Sequence, residues 1–378
     1  MLETQRVCRK GEPGYQQCTV TIMDTTDPDI RFDGAGVSHW VTEVFANIRK
    51  TWNPEGNQEA FERAAHQIKE DGAGRKYNCI LGLSGGLDSS YLALLAKRAG
   101  LNPLLVHTDT GWNSELAVSN IEKIVQYCGF DLYTHVINWK EMAGVQRAFL
   151  RAGVPNQDIP QDHSIFAALY AYAARHGIKW VLHGSNFAGE SVLPRAWGYD
   201  ARDLYHLKAI HRQFGDTPLG AFPRMGHIKF GLIFGLIRGM KVTKLLNLVP
   251  YNRQKAIDEL SNEMGWRYYG AKHYESRWTR YFQGWWLPAK FGYDKRLAHY
   301  SSLILSGQMT REDALREMEH EHYPDWLRKE DQEFIIRKLN MKESEFSDLL
   351  SARCHSHFEY PTSQKLTHLL FRIRNFLK

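Results

Sequence analysis

The strongest chemical signal in the chain is the run Ser84-Gly85-Gly86-Leu87-Asp88-Ser89-Ser90. An apolar stretch at 77–83 precedes this run, and a helix-favouring stretch at 91–98 follows it. A strand, a glycine turn and a helix start bring backbone N–H groups and the positive end of the helix dipole to one point. An ordinary strand–helix turn is the alternative, but the coincidence of all these features favours a phosphate site.

Each residue type in this run suits the phosphates of a nucleotide. The two glycines allow a close backbone approach, and the three serines can donate hydroxyl groups to phosphate oxygens. Asp88 is a candidate Mg²⁺ ligand beside the phosphates, with helix capping as the alternative or additional role. The spacing differs from that of kinase or GTPase P-loops and from that of the dinucleotide fingerprint.

Polar residues also follow the second and fourth of four predicted strands. Asp109 is our candidate for a ribose or metal contact, and a turn-forming role before the next glycine is the alternative. Gly184 and Ser185 are candidates for binding the adenylate, and Asn186 and Glu190 for binding the substrate. Glu190 is also a candidate second Mg²⁺ ligand.

Between the third and fourth strands lies a stiff polar loop, 153–163, with two prolines and an imidazole. Asp158, Asp162 and His163 are its candidate substrate-binding residues, because the loop composition suggests a wall of a site rather than a linker. For Asp162, capping of the following helix is an equally good interpretation.

The segment 273–299 interleaves basic and aromatic residues. Such a cluster can bind phosphate while aromatic rings cover a sugar or base. Single-stranded nucleic acid and a solvated surface are the alternatives. We interpret the cluster as a substrate and pyrophosphate clamp, with catalytic candidates Lys290, Lys295 and Arg296 and substrate-binding candidates Arg280 and His299.

Alternation of apolar runs and amphipathic stretches predicts a parallel, doubly wound α/β sheet, whose carboxyl ends form a ligand crevice. The predicted strands are 77–83, 102–109, 131–137 and 179–185, and the predicted helices are 57–75, 88–99, 113–128 and 163–176. We expect an irregular segment at 1–60, an α/β domain at 61–195 and a mainly helical substrate or partner domain at 196–378.

The 378-residue chain has a net charge of +6, a mild bias that suits anionic nucleotides and does not by itself indicate nucleic acid. Five scattered cysteines imply no disulfide framework.

We see no signal peptide and no apolar run near the roughly 18 residues of a membrane span, and we expect a cytoplasmic protein. The apolar stretch 230–240, with basic flanks, is predicted to be a buried helix; attachment to a membrane surface is the alternative.

The run at 84–90 resembles the pyrophosphate loop of the ATP pyrophosphatases (PP-loop superfamily). Over nearly the whole chain the sequence is similar to the N-acetyl sugar amidotransferases of bacterial surface-polysaccharide and nonulosonic acid pathways. That similarity rests on several blocks in order, namely 23–33, 84–90, 154–163, 197–200, 268–276, 290–296 and 301–310.

The resemblance implies an ATP-dependent conversion of a sugar acetamido group to an acetamidino group. ATP and Mg²⁺ are the expected cofactors, and a nucleotide-activated N-acetyl sugar is the expected substrate. The chain lacks the cysteine of a glutaminase, so the resemblance implies a separate glutaminase that supplies ammonia. Glutamine alone should therefore fail as the nitrogen donor.

The sequence departs from the family in its N-terminal segment. Many relatives carry two Cys-x-x-Cys pairs there, the spacing of a structural zinc site. This chain has Cys18, Thr21, Ser38 and Val41 at those positions, and one thiolate cannot build that site. We therefore expect no zinc site.

Two other functions compete with the amidotransferase. A tRNA-modifying ATP pyrophosphatase, acting by sulfur transfer or by ligation, is the first. Sulfur transfer needs a reactive cysteine near the adenylate, and the cysteines here are predicted to lie outside the active-site loops. A scaffold that only binds nucleotide is the second, and the intact loop weighs against it.

Overall fold

A five-stranded parallel sheet organises the first half of the chain. The structure is a computed structural model that describes residues 7–364, except for the side chains of Leu232 and Leu236. The strands are β1 (Cys79–Gly82), β2 (Pro103–Asp109), β3 (Leu132–Val136), β4 (Trp180–Leu182) and β5 (Lys241–Thr243). They lie in the order β3-β2-β1-β4-β5, so the winding direction reverses between β1 and β4.

Alternation along the strands builds a core on each face of the sheet. Ile80 and Leu104 point to one face, where helix Ile159–Arg175 covers them. Leu81 and Leu105 point to the other face, against four further helices. Both faces are apolar because side chains alternate along a strand and a parallel sheet is covered on both sides.

In the described part of the chain, fifteen α-helices accompany the sheet. They are α1 (Ala46–Arg49), α2 (Gln58–Asp71), α3 (Leu87–Arg98), α4 (Glu115–Cys128), α5 (Trp139–Ala152), α6 (Ile159–Arg175), α7 (Phe187–Glu190), α8 (Leu204–Phe214), α9 (Arg253–Met264), α10 (Arg277–Tyr281), α11 (Leu287–Phe291), α12 (Lys295–Leu305), α13 (Arg311–Glu319), α14 (Asp325–Lys338) and α15 (Glu343–Ser351). The π-helical turns are Trp40–Phe45, Lys229–Ile237 and Phe282–Trp286, and the 3₁₀ turns are Arg195–Trp197, Leu245–Asn247 and His357–Glu359.

The predicted fold class is confirmed, a parallel α/β sheet followed by a helical C-terminal region. The structure adds α5 and β5, which the sequence did not predict. Only three residues long, β5 lies at the edge of the sheet and lacks an apolar run, so it carries no strand signal. Because β5 comes from beyond residue 195, the sheet extends past the predicted domain boundary; the three-part division itself stays a prediction.

The N-terminal segment is irregular up to the turn at Trp40–Phe45 and packs on the C-terminal helices. Cys18 is fully buried, and its sulfur accepts hydrogen bonds from the backbone N–H groups of Thr21 (3.4 Å) and Ser38 (3.3 Å). Within residues 7–364, no group of three or more His, Cys, Asp or Glu side chains is placed to hold a metal ion. The prediction of no zinc site continues to rest on the residue types.

The segment 230–240 is not the buried helix that the sequence predicted. Lys229–Ile237 forms a π-helix at the surface, and Ile237 is 72% exposed. The prediction was wrong because an apolar stretch indicates that a segment avoids water but does not indicate which neighbouring residues bury it. No helix in the described residues is long and apolar enough to cross a membrane.

A buried charge cluster ties α10 to α14. Asp331 is fully buried and accepts hydrogen bonds from Arg277 (2.9 Å) and Arg280 (2.7 and 2.8 Å), as well as from the Tyr323 hydroxyl (2.8 Å). Removing one partner of a buried ion pair is costly because the remaining charges stay desolvated. This cluster therefore anchors the helix that follows the 268–276 segment.

Replacing Asp331 with alanine should lower the free energy of unfolding by about 3–5 kcal/mol, because two arginines lose their buried counter-ion. Urea unfolding monitored by circular dichroism measures the change. Asp325→Ala is the matched control, since Asp325 lies on the same helix and pairs with Arg328 but is 58% exposed. That control should change stability little. Equal losses in the two variants would contradict the anchoring role.

Candidate active site

One large cavity lies at the carboxyl ends of β1 and β4, where the winding of the sheet reverses. Its volume is about 1120 Å³, and both the sheet loops and the C-terminal helices line it. This position is where open α/β sheets bind ligands. The predicted site residues that line the cavity are Ser84, Gly86, Asp88, Ser89, Asp158, Asp162, Gly184, Ser185, Asn186, Glu190, Lys295, Arg296 and His299.

The glycine loop is held by its own hydroxyl groups. Ser84 Oγ lies 3.1 Å from Ser89 Oγ and accepts from the backbone N–H of Gly86 (3.2 Å). Ser90 is buried, does not line the cavity, and donates to the Gly86 carbonyl (2.6 Å). The predicted phosphate contact of Ser90 is thus replaced by an internal hydrogen bond that fixes the turn.

Gly85 also acts through packing instead of lining the cavity. Its φ is +78°, in the region that favours glycine. A Cβ there would lie 2.4 Å from the backbone oxygen of Ala117 on α4. Gly184 lies beside the same loop, since its Cβ position is 3.5 Å from the backbone nitrogen of Ser89, an ordinary contact distance.

A partly buried polar cluster surrounds Asp88 at the start of α3. Asn186 Nδ2 donates to Asp88 Oδ1 (3.1 Å), and the Tyr251 hydroxyl donates to the same oxygen. Lys272 Nζ lies 2.8 Å from Glu190 Oε1 and 3.9 Å from Asp88 Oδ2. Asp88 makes no capping hydrogen bond, so in this structure the side chain serves the cluster and not the helix end.

Burial and pairing act in opposite directions on these groups. Burial raises the pKa of Asp88 even though Lys272 opposes the shift. Burial also disfavours the charged form of Glu190, but Lys272 outweighs it and lowers the pKa of that carboxyl. The two carboxylates in turn keep the pKa of Lys272 raised against desolvation. The cluster therefore holds a cation between two carboxylates.

The residues fit ATP and Mg²⁺. Asp88 and Glu190 offer carboxylate oxygens, which Mg²⁺ prefers, and phosphate oxygens usually complete its coordination. Ser185 Oγ is buried without a hydrogen-bond partner in the described residues, and a ligand atom would satisfy it.

Asp109 does not line the cavity, so the predicted ribose or metal contact is not supported. Its carboxylate accepts from the backbone N–H of Gly111 (2.8 Å) and from Asn113 Nδ2 (3.2 Å), which is the turn-forming alternative. His107 lines the cavity from the same strand, with Nδ1 2.9 Å from the Leu83 carbonyl oxygen.

The opposite wall combines two carboxylates from one turn of helix with a lysine. Asp158 accepts hydrogen bonds from Gln161 (2.9 Å), Thr279 (3.2 Å) and Gln283 (3.2 Å). Asp162 makes no side-chain hydrogen bond within residues 7–364, so it does not cap α6. Burial and the neighbouring Asp158 raise the pKa of Asp162 to about 7.

Two basic groups and a histidine from α12 complete this wall. Burial lowers the pKa of Lys295, although Asp158 and Asp162 oppose the shift. Burial also lowers the pKa of His299 well below its usual value. Arg296 lines the cavity while its Nη2 donates to Asp294 Oδ2 (2.7 Å).

Three further predicted site residues lie outside the cavity lining, because each has structural partners. Lys290 Nζ donates to the carbonyls of Leu349 (2.6 Å), Leu350 (3.3 Å) and Ala352 (2.6 Å) at the end of α15. Arg280 is committed to Asp331, and His163 is held by the Ala201 carbonyl (2.6 Å) and the Met225 N–H (3.2 Å). The catalytic assignment of Lys290 and the substrate-binding assignments of Arg280 and His163 are therefore corrected.

The segment 268–276 supplies cavity residues that the predicted site left out. Tyr269 Oη accepts from the backbone N–H of Leu87 (2.9 Å), beside the glycine loop. Lys272 sits in the carboxylate cluster, and Glu275 Oε1 lies 2.8 Å from the Cβ position of Gly86. The signal was available, because this segment is one of the blocks on which the family resemblance rests.

The C-terminal part of the chain matches a known protein family. Residues 275–374 match the family described as LPS biosynthesis protein WbpG-like, C-terminal domain. No curated protein matches the chain.

Solved structures with a related arrangement include two synthetases. The NH3-dependent NAD synthetase from Campylobacter jejuni, solved with a nitrate ion, shares 19% identity over 55% of this chain and 93% of its own, with a TM-score of 0.29. The NMN synthetase from Francisella tularensis shares 16% identity over 56% of this chain and 94% of its own, with a TM-score of 0.27.

Replacing Gly85 with alanine should weaken ATP binding at least about tenfold, because the methyl group meets the Ala117 backbone and shifts the loop. Isothermal titration calorimetry measures the affinity. Gly74→Ala is the matched control, since Gly74 has a similar φ of +74° with nothing within 4 Å of its Cβ position. The control should carry the same backbone strain yet bind ATP normally. Unchanged affinity in the Gly85 variant would contradict the packing argument.

Proposed function

We propose that this chain is an ATP-dependent amidotransferase that converts the acetamido group of a nucleotide-linked N-acetyl sugar to an acetamidino group. The observation that carries the proposal is the single cavity that joins the glycine loop to the wall built by Asp162 and Lys295. Its volume of about 1120 Å³ exceeds the roughly 300–1,000 Å³ typical of one small-ligand pocket, which suits two substrates side by side. The match of residues 275–374 supports a role in polysaccharide chemistry.

The glycine loop would bind the ATP phosphates through its backbone N–H groups and the start of α3. Asp88 and Glu190 would hold Mg²⁺, which when bound with ATP offsets negative charge on the reacting phosphate. Lys272, already beside both carboxylates, adds a positive charge at the same place.

Adenylylation solves the problem that an amide carbonyl is a poor electrophile. The acetamido oxygen attacks the α-phosphorus, a new P–O bond forms, and the α–β P–O bond breaks to release pyrophosphate. Ammonia then attacks the imidate carbon, and cleavage of the C–O bond releases AMP and leaves the amidine. Ammonia would come from a separate glutaminase.

Asp162 would act as the base in the second step. Attack by ammonia leaves a positively charged nitrogen that must lose a proton. A carboxylate with a pKa near 7 and no side-chain hydrogen bond within residues 7–364 suits that transfer near neutral pH. Asp158, by contrast, is fixed by three donors and suits a substrate hydrogen bond.

The sulfur-transferring form of the tRNA-modifying alternative has less support. All five cysteines lie in the described part of the chain, and none of them lines the cavity. Burial raises the pKa of Cys79 and raises that of Cys128 to about 11, which disfavours a reactive thiolate.

An ATP–pyrophosphate exchange assay tests the first half of the reaction. We expect exchange that depends on UDP-N-acetyl sugars and not on bulk tRNA, and a loss of at least about 100-fold in Asp88→Asn. Asp258→Asn, an exposed substitution on α9, should leave the rate unchanged. Exchange that requires tRNA would instead favour the alternative function, and exchange with neither class would contradict both.

The pH profile of amidine formation tests Asp162. With ammonium as the nitrogen donor and the concentration of free ammonia held constant, the rate should rise with pH through an inflection near 7, because the base acts when deprotonated. Asp162→Asn should abolish the inflection and lower the rate about 100-fold. Asp158→Asn removes the charge that raises this pKa, so its inflection should move to lower pH. An unchanged profile in Asp162→Asn would exclude this role.

A further inference from the structure

The π-helix Lys229–Ile237 is apolar on both of its sides. On its inner side, Phe230 and Phe234 pack against Tyr170, with ring centroids 4.9 and 5.7 Å apart. On its outer side, Ile233 and Ile237 are 37% and 72% exposed. A helix that is apolar on all sides is normally buried. Residues 7–364 leave the outer side of this helix exposed, so a binding partner would be needed to bury it.

Two further exposed side chains extend this outer side. Ile228 immediately precedes the helix and is 54% exposed. Val242, the central residue of the edge strand β5, is 45% exposed. We call Ile228, Ile233, Ile237 and Val242 the aliphatic face.

Exposed basic residues border the aliphatic face. The contacts of Arg238 with the Ala174 carbonyl (2.8 Å) and of the Lys241 N–H with the Lys179 carbonyl (2.8 Å) place neighbouring segments at the same surface. One acidic residue is paired there, since Asp71 accepts from Lys241 Nζ (3.0 Å). The exposed basic residues are Arg175, Lys179, Lys229, Arg238 and Lys241.

We propose that the aliphatic face binds the surface of an anionic lipid bilayer. Isoleucines that enter the headgroup boundary, with lysines and arginines beside them, are the composition of helices that lie on membranes. Lysine is depleted in protein–protein interfaces, so the combination of four aliphatic and five basic residues fits lipid better than a protein partner. The helix is far shorter than a membrane span, so it rests on the bilayer.

This inference is independent of the proposed reaction. The aliphatic face lies at the β5 edge of the sheet, and none of its residues lines the cavity. Substitutions there should therefore leave ATP–pyrophosphate exchange unchanged, which separates failure of the lipid inference from failure of the proposed function.

Vesicle sedimentation with the full chain tests the proposal. We expect binding to vesicles of phosphatidylcholine with phosphatidylglycerol, much weaker binding to phosphatidylcholine alone, and partial release by high salt. The triple variant Ile228→Ser, Ile233→Ser and Ile237→Ser should lower the partition coefficient at least about tenfold.

The matched control replaces two equally exposed aliphatic residues elsewhere, Val136→Ser and Leu193→Ser, which are 69% and 66% exposed. This control should bind anionic vesicles as the parent chain does. The proposal is overturned if anionic vesicles bind no protein or if the triple variant binds them as well as the control. It is also overturned if the parent chain is a dimer that the triple variant dissociates, with no vesicle binding, because a second copy then covers the face.

Discussion

The close approach of two strand ends is the constraint on which the site depends. β1 and β4 are parallel neighbours, so the loop after each strand emerges at the same edge of the sheet. Gly85 keeps the first loop close to α4, since a side chain there would meet the Ala117 backbone, and Gly184 of the second loop lies beside the start of α3. The polar ends of both loops line one cavity. Its other walls come from α6 and from the second half of the chain.

Charge compensation explains why the segment 268–276 crosses the glycine loop. Asp88 and Glu190 are partly buried at the cavity wall, and burial without a compensating charge disfavours their charged forms. Lys272 supplies the compensating charge, and Tyr269 accepts the Leu87 N–H at the start of α3. The segment thus completes a polar site that the sheet alone leaves unpaired. The buried Asp331 cluster holds α10, directly after this segment, in place.

Local signals predicted the sheet and the glycine loop, whereas pairings between distant residues could not be predicted. A strand, a glycine turn and a helix are consecutive in sequence, so their geometry follows from short-range rules. The partners of Lys290 are some 60 residues away, and nothing near Lys290 indicates that its ammonium meets three carbonyl oxygens. Asp109 was equally ambiguous, because a turn and a ligand contact use the same residue type. The short strand β5 carried no pattern at all.

On the cavity wall opposite the glycine loop, the surroundings of a residue determine its role more than its residue type does. Asp158 and Asp162 are one helical turn apart, yet three donors hold the first and, within residues 7–364, none holds the second. A carboxylate with fixed donors is committed as an acceptor, whereas one without such donors is ready to exchange a proton. The same contrast separates Lys290 from Lys295. The ammonium group of Lys290 donates to backbone carbonyls, whereas Lys295 interacts with the two aspartates inside the cavity. The basic and aromatic segment 273–299 therefore contains structural residues as well as candidate site residues, and only the contacts of each side chain distinguish the two kinds.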